Sequence, residues 1–313
     1  MTDDPTPDER LRRARDRADH LRVHRDERPD GTEVPGVTTV VIDRPDARNA
    51  LNAAVREELR AVFDVIADAG TASGGDTDET GASDADATDR ADTVDTHTLP
   101  SVRAVVLTGS DDAKAFVAGA DVRELRERGV VEQREASRRP RVYETVADCP
   151  VPVVARVNGH ALGGGCELAQ ACDVRIARED AKLGQPEVGL GLMPGGGGTQ
   201  RLPRLVGLGQ AMRLVLSGDV VAAPEAAEIG LVDEAVPPDR LDETVYDLAG
   251  AIADNPPVAV RHATEALRAS QERSLDAGLD YERELFVDLF ATADREEGID
   301  AFLDGRDPEW RGR

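Results

Sequence analysis

Four short runs of apolar, mostly β-branched residues recur along the chain, and helical or glycine-rich segments lie between them. The runs cover residues 37–42, 102–108, 151–157 and 173–177. Runs of this length and composition are typical of buried strands, and their alternation with helical patterns predicts an α/β core. From about Ala222 the apolar period changes to 3.6 residues, so the remainder of the chain is predicted to be helical.

The sequence divides into three predicted parts. Residues 1–30 form a polar, charge-dense N-terminal arm, residues 31–221 form the core, and residues 222–313 form a C-terminal helical region. Within the core, residues 70–98 are mostly Gly, Ala, Ser, Thr and Asp. Such a segment cannot bury enough apolar surface to order itself, so it is predicted to be a disordered acidic surface insertion.

The charge balance excludes two classes of partner. Among 313 residues there are 62 Asp and Glu against 38 Lys and Arg, which gives a formal net charge of −24. Nucleic acids and anionic membrane surfaces require a basic face, so neither is an expected partner. The excess of carboxylates, the scarcity of lysine and the 3% aromatic content favour a protein that works in concentrated salt, which screens repulsion. An ordinary acidic protein is the alternative.

Cysteine usage and the N-terminus predict a cytoplasmic protein. Cys149, Cys166 and Cys172 are odd in number and form no CxxC pair, so we expect buried free thiols without a metal site or a disulfide framework. The first residues are acidic and polar and lack the layout of a signal peptide. No apolar run approaches the ~20 residues of a membrane span.

Two glutamates lie in surroundings that favour acid–base chemistry. Glu167 follows the glycines at 163–165 near the start of a helix, and Glu187 lies within the segment GQPEVGLG. Apolar and glycine neighbours solvate a carboxylate poorly, which raises its pKa toward the range useful in proton transfer. Either residue alone is better interpreted as a cap of a helix or turn. As a pair, each beside a glycine turn, they are candidates for a general acid and base.

The glycine turns themselves are candidates for anion binding. Residues 163–165 and the segment FVAGAD at 116–121 each precede a helix, and two unobstructed backbone N–H groups aimed at one oxygen would form an oxyanion hole. No GxGxxG after a strand and no GxxxxGK[ST] occur, so nicotinamide and P-loop interpretations lack support. Cys166 lacks a histidine in a partner motif, and His160 is expected to pack within its loop.

Five segments, in chain order, resemble one family. RPDARNALN, FVAGADVREL, HALGGGCELAQACDVRIA, LGQPEVGLGLMPGGGGTQRL and FATADREEGIDAFLDGR are similar to segments of the crotonase superfamily, and specifically of enoyl-CoA hydratases. The resemblance covers residues 37–306 apart from the acidic insertion. It implies a crotonase-like spiral of repeated ββα units, and a C-terminal helical trimerisation region that makes a homotrimer or homohexamer.

The resemblance also implies a role for each matching residue. Glu167 and Glu187 match the two catalytic glutamates, Ala120 and Gly164 match the oxyanion-hole N–H donors, and Gly195 matches the glycine that helps to hold the reacting water. The implied substrates are acyl-CoA thioesters, and no cofactor is implied beyond the CoA that the substrate carries. Residues 44–49 are expected near the adenine. The expected substrate-binding residues are Ala118, Ala120, Asp121, Val122, Arg123 and Gly164.

The implied reaction is the reversible addition of water to the 2,3 double bond of a 2-enoyl-CoA, which gives a 3-hydroxyacyl-CoA. An enoyl-CoA isomerase or an acyl-CoA hydrolase is the alternative, but relatives with those activities keep only one glutamate, so the pair favours hydration. Some relatives bind RNA, which requires a basic helix, whereas the predicted helix at 52–67 carries three acids against two arginines. Acyl chain length and pathway do not follow from the sequence.

Overall fold

The computed structural model describes residues 6–71 and 102–313, so the predicted acidic insertion lies outside the described residues from residue 72 onward. Contacts divide the chain into two compact units. Among the described residues, the first unit contains both sheets and ends at Asp254, and the second contains the helices from Asn255 to Arg313. No helix in the described ranges is long and apolar enough to cross a membrane.

The described strands form two sheets. In chain order they are β1 (Leu21–Glu27), β2 (Glu33–Ile42), β3 (Ala104–Gly109), β4 (Ala115–Val117), β5 (Val153–Val157), β6 (His160–Leu162), β7 (Val174–Arg178), β8 (Lys182–Gly184), β9 (Val220–Ala222) and β10 (Glu234–Val236). The main sheet has the order β1-β2-β3-β5-β7-β10 and the smaller one β4-β6-β8-β9. Only the β1–β2 and β8–β9 pairs among them are antiparallel.

The described helices lie between and after the strands. They are α1 (Pro7–Arg17), α2 (Ala53–Thr71), α3 (Val122–Glu127), α4 (Val130–Ala136), α5 (Val142–Ala147), α6 (Gly164–Ala171), α7 (Gly198–Ser217), α8 (Ala223–Glu228), α9 (Leu241–Ala253), α10 (Pro257–Ala269), α11 (Leu275–Asp288) and α12 (Ala293–Asp304). A short 3-10 helix, Pro186–Leu190, follows β8.

The repeating unit is two strands followed by a helix. β3 lies in the main sheet, β4 in the smaller sheet, and α3 follows; β5, β6 and α6 repeat this order. β7 and β8 repeat it again and lead into the 3-10 helix and α7. The predicted α/β fold of repeated ββα units is therefore confirmed.

Both faces of the main sheet are buried, which explains the continuous apolar runs in the sequence. On β3, Val105 and Leu107 belong to the larger core cluster, whereas Ala104 and Val106 belong to a second cluster on the opposite face. α9 covers that second face and contributes Tyr246, whose hydroxyl hydrogen-bonds Thr39 at 3.0 Å. The four predicted strands overlap β2, β3, β5 and β7 because burial on both sides leaves a strong apolar signal.

The prediction of a polar arm over residues 1–30 is wrong for its second half. β1 pairs with β2 from Leu21, opposite Ile42, and forms one edge of the main sheet. Leu21 and Val23 are buried, but the remaining side chains of β1 are charged or imidazole groups that are at least partly exposed. An edge strand with one largely exposed face carries few apolar residues, so its sequence gives a weak strand signal.

The prediction of an all-helical region from residue 222 is also wrong. β10 pairs in parallel with β7 at the other edge of the main sheet, and a strand of three residues is too short to leave a period in the sequence. The first unit consequently extends to Asp254, beyond the predicted core boundary at residue 221. Pro140 lies between α4 and α5, which are therefore separate helices.

Close contact between α6 and β4 depends on Gly165. A Cβ atom built on Gly165 would lie 1.9 Å from the carbonyl oxygen of Val117. We expect Gly165→Ala to lower the free energy of unfolding by about 1–3 kcal/mol, because the extra methyl group overpacks the core. Gly189→Ala is the matched control, since no atom lies within 4 Å of the added Cβ there. Equal denaturation midpoints for the two variants would contradict this packing argument.

Candidate active site

Ala120 and Gly164, the two residues predicted to form an oxyanion hole, lie next to each other. Leu51 donates its N–H to the Gly119 carbonyl at 2.8 Å and accepts from the Asp121 N–H at 3.0 Å. These bonds fix the chain on both sides of Ala120 and turn its own N–H away from Leu51. A Cβ atom built on Gly164 would lie 3.3 Å from the Ala120 nitrogen. The N–H of Gly164 is in the first turn of α6, where helical N–H groups lack intrahelical partners.

Glu167 is buried and held by the glycine loop that precedes α7. Its Oε1 accepts from the N–H of Gly196 at 2.6 Å and from the N–H of Gly198 at 2.8 Å. Burial raises the pKa of Glu167, whereas these two N–H groups and the guanidinium groups of Arg141 and Arg201 act in the opposite direction. The carboxylate is thus fixed through one oxygen.

Glu187 lies on the 3-10 helix after β8 and faces the glycine turn at Gly163. A Cβ atom built on Gly163, whose φ is +50°, would lie 3.1 Å from Glu187 Oε1, so this turn excludes side chains for both steric and backbone reasons. Burial raises the pKa of Glu187 to about 7, and the charge of Glu167 adds to the effect. With its amide oriented to satisfy both neighbours, Gln185 donates to Glu187 Oε1 at 3.0 Å and accepts from Gln170 Nε2 at 3.0 Å.

Tyr143 is a site residue that the sequence reasoning missed. Its hydroxyl oxygen would lie 2.9 Å from a Cβ atom on Gly164, and its ring 2.5 Å from a Cβ atom on Gly196. Tyr143 therefore lies between the oxyanion turn and the loop that holds Glu167. Burial raises the pKa of its phenol, as does the nearby charge of Glu167, so the neutral hydroxyl is the form present at ordinary pH. A tyrosine in a short helix, distant in sequence from both glutamates, offered no pattern to detect.

The glycine loop is also bound from its other side by arginine side chains. Arg141 donates through Nη1 to the Gly195 carbonyl, and Arg201 donates to the Gly196 carbonyl at 3.1 Å. The N–H contacts to Glu167 come from Gly196 and Gly198. Gly195 is an exposed residue of the same loop, and its part in holding water stays a prediction. Arg141 lies in none of the five family segments, and Arg201 lies at the end of LGQPEVGLGLMPGGGGTQRL, where the sequence analysis gave it no role.

The predicted substrate-binding segment lies beside the oxyanion hole. Ala118 donates its N–H to the Arg48 carbonyl at 3.1 Å, which brings the predicted adenine loop against this segment. The Asp121 carboxylate caps α3 by accepting from the Arg123 N–H at 3.1 Å, and it pairs with Arg44 at 3.4 Å. Val122 and Arg123, in contrast, are exposed at the start of the helix and free to meet a ligand.

The surroundings of Cys166 and His160 disfavour a nucleophilic role for this cysteine. Burial raises the pKa of the Cys166 thiol to about 12, which disfavours the reactive thiolate. His160 Nδ1 accepts from the Lys182 N–H at 3.2 Å, so this imidazole joins β6 to β8. Over residues 6–71 and 102–313, no group of three or more His, Cys, Asp or Glu residues is arranged to hold a metal ion.

Comparison with known proteins places this geometry in a family. A family model described as enoyl-CoA hydratase/isomerase matches residues 92–313. The chain is 41% identical over 277 residues to the 2,3-dehydroadipyl-CoA hydratase of Escherichia coli (strain K12), covering 88% of this chain and 96% of that protein. The chain belongs to the enoyl-CoA hydratase/isomerase family. The resemblance predicted from the five sequence segments is confirmed.

Other members of the enoyl-CoA hydratase/isomerase family agree over a similar length. The short-chain-enoyl-CoA hydratase of Clostridium acetobutylicum is 39% identical over 271 residues, covering 86% of this chain and 92% of that protein. The crystal structure of an enoyl-CoA hydratase from Bacillus anthracis superposes with a TM-score of 0.78 at 36% identity, covering 94% of this chain and all of that one. The match therefore includes both sheets and the helices that follow them.

The raised pKa of Glu187 in this family member makes stability depend on pH. Its pKa is about 7 in the folded chain against an ordinary 4.5, so the folded state binds the extra proton between these values, and stability falls as pH rises through that window. Wild type should therefore lose stability between about pH 5 and about pH 8, whereas Glu187→Gln lacks this loss. The difference in unfolding free energy, variant minus wild type, should be more favourable to the variant at the higher pH by about 1–2 kcal/mol, after allowance for solvent screening.

Chemical denaturation at the two pH values measures this difference. Glu132→Gln, at an exposed position of α4, is the control and should differ from wild type by the same amount at both. An offset for Glu187→Gln that does not change with pH would contradict the assignment of a raised pKa.

Proposed function

We propose that the chain is a hydro-lyase that reversibly adds water to the 2,3 double bond of 2-enoyl-CoA thioesters. The observation that carries the proposal is that Glu187 approaches Gly163 and lies near enough to Glu167 for their charges to interact, while the Ala120 nitrogen lies next to Gly164 in the same turn. The activities named for its relatives, 2,3-dehydroadipyl-CoA and short-chain enoyl-CoA hydration, support the same reaction. The CoA portion belongs to the substrate, and the proposed reaction needs no further cofactor.

The oxyanion hole supplies electrostatic stabilisation. When water adds at C3 of an enoyl thioester, electron density moves onto the thioester carbonyl oxygen. The N–H groups of Ala120 and Gly164 would donate to that oxygen as its negative charge develops, and loss of one such donor typically costs about 2.7–4 kcal/mol. Because both donors belong to the backbone, they need no side-chain rearrangement during the reaction.

The two glutamates divide the proton transfers. Glu167, ionised and bound to the loop N–H groups, would take a proton from the attacking water while the oxygen bonds to C3. Glu187, with a pKa of about 7, holds a proton in a large fraction of molecules at neutral pH and would deliver it to C2. Dehydration reverses both transfers at the same residues. The opposite starting protonation states of the two carboxyls are what one addition of water requires.

Replacement of each glutamate by glutamine tests these roles. Glu167→Gln and Glu187→Gln keep the size of the side chain but prevent proton exchange, so each should lower the rate of crotonyl-CoA hydration by about 10²–10⁴. The double variant should lose less than the product of the two, since both residues act on one reaction. The measurement is the loss of ultraviolet absorbance of the conjugated thioester, with Glu132→Gln as the control.

The same variants separate hydration from isomerisation and thioester hydrolysis. An isomerase or a hydrolase would depend strongly on one glutamate and tolerate loss of the other. Near wild-type hydration by Glu167→Gln would refute the proposed mechanism. Turnover of a 3-enoyl-CoA, or release of free CoA, in the absence of hydration would refute the hydratase assignment itself.

We further propose that the subunits form a homotrimer, or a homohexamer made of two trimers, at high salt. In the C-terminal unit, Leu275, Leu279, Phe286 and Phe290 lie along α11 and the turn after it, and each is more than half exposed. An apolar stripe of this kind indicates a protein–protein interface. With a net charge of −24, close approach of subunits requires screening of their mutual repulsion.

Light scattering tests the proposed assembly and its dependence on salt together. In ~1 M salt, where the Debye length is ~3 Å, the expected mass is three or six times that of the 33.4 kDa chain. In dilute buffer the assembly should dissociate, and Phe286→Asp should prevent assembly at either salt concentration. A monomer of wild-type chain in ~1 M salt would contradict the proposal. A cytoplasmic location is also proposed, and the burial of all three cysteines supports it.

A further inference from the structure

One peptide of the glycine loop is bound at both ends. The N–H of Gly196 donates to Glu167 Oε1 at 2.6 Å, and the carbonyl of Gly195, which belongs to the same peptide unit, accepts from Arg141 Nη1. The C=O and N–H of a trans peptide point in opposite directions. Arg141 therefore lies behind the peptide that presents a hydrogen-bond donor to Glu167.

Arg141 is itself held in place by a buried carboxylate. Its Nη2 and Nε donate to Oε1 and Oε2 of Glu144 at 2.6 and 3.1 Å, and its backbone N–H donates to Oε2 at 2.8 Å. The Glu144 side chain is only 6% exposed. A bidentate pair of this kind fixes the orientation of the guanidinium plane as well as its position. Nη1 is thereby directed at the Gly195 carbonyl.

The charged and titratable groups around Glu167 come from three elements. Arg141 lies at the start of α5, Tyr143 within α5, Arg201 on α7 and Glu187 on the 3-10 helix. Arg201 donates to the Gly196 carbonyl at 3.1 Å and thus binds the next peptide along. Among the residues that the structure describes, only Arg141 combines a favourable charge on Glu167 with a hydrogen bond to the Gly195–Gly196 peptide.

We propose that Arg141 is a positioning residue for the general base: braced by Glu144, it fixes the Gly195–Gly196 peptide so that the Gly196 N–H holds Glu167 ionised and aimed at the water. This inference rests on the proposed role of Glu167. Arg141 does not touch the reacting atoms; it acts through one peptide bond and through its charge. A donor at the carbonyl also polarises the peptide, which strengthens the N–H as a donor.

The proposal predicts a change in the pH profile as well as in the rate. Without Arg141, the ionised form of Glu167 loses a nearby positive charge and part of its hold on Gly196, so a higher pH is needed to ionise it. The acidic limb of kcat/KM for hydration should move to higher pH. Loss of the hydrogen bond from the charged Arg141 should lower kcat about tenfold at neutral pH. KM should change much less.

The experiment compares Arg141→Gln with Arg139→Gln over the whole pH range in concentrated salt. Arg139 pairs with the same Glu144 at 3.4 Å but is 75% exposed, so its replacement removes the same charge from the same segment without the contact to Gly195. We expect the acidic limb of the kcat/KM profile of Arg141→Gln to lie at a pH higher than that of wild type by at least about half a unit. The acidic limb of Arg139→Gln should coincide with that of wild type. Arg141→Lys keeps the charge, so its acidic limb should lie close to that of wild type.

Thermal melting and CoA binding of each variant identify a merely structural effect. If Arg141→Gln does not fold, the pH profile of Arg141→Lys decides, since it should show a smaller shift in the same direction. If the acidic limbs of Arg141→Gln and Arg139→Gln coincide, the inference is wrong. If Glu167→Gln is nevertheless inactive, the proposed function still stands. An active Glu167→Gln would refute the role of Glu167 and this inference with it.

Discussion

The absence of side chains at the turn before α6 is the constraint on which the site depends. A Cβ atom on Gly163 would meet Glu187, one on Gly164 would meet the Tyr143 hydroxyl, and one on Gly165 would overlap the Val117 carbonyl. Three surrounding elements therefore approach one short stretch of backbone more closely than any other residue type permits. That approach places Glu187 and Tyr143 against the backbone that carries the proposed Gly164 donor.

The electrostatics of the site follow from how differently the two glutamates are solvated by the protein. Burial removes water from around Glu167 and raises its pKa. Two peptide N–H groups and two arginines stabilise the ionised form and partly offset that rise. For Glu187, burial prevails and the pKa rises to about 7. Burial raises the pKa of both carboxyls, and of the two Glu167 alone accepts N–H groups from the loop between Pro194 and Gly198, which act against the rise.

The sequence predicted the parts of the molecule whose signal is local. Strands buried on both faces, such as β3 and β5, leave continuous apolar runs, and the glycine turn with its two glutamates is visible as a motif. β1 and β10 were missed because an edge strand is half polar and a three-residue strand has no period. Tyr143 and Arg141 were missed because only the tertiary fold brings them to Glu167, by contacts with glycine backbone that leave no side-chain pattern.

The smaller sheet fixes the spacing of the strand ends that carry the proposed site residues. Ala120, the Gly164–Glu167 turn and Glu187 each follow the end of a different strand, and those strands, β4, β6 and β8, are parallel neighbours. Adjacent strands lie about 4.8 Å apart, so the ends of these three strands span two such intervals, or about 10 Å. Backbone hydrogen bonding fixes that spacing, and no side-chain substitution can readily alter it. The proposed donors, base and acid therefore extend from a backbone frame whose spacing is that of a β-sheet, and substitutions around this frame change the pocket without moving the strand ends.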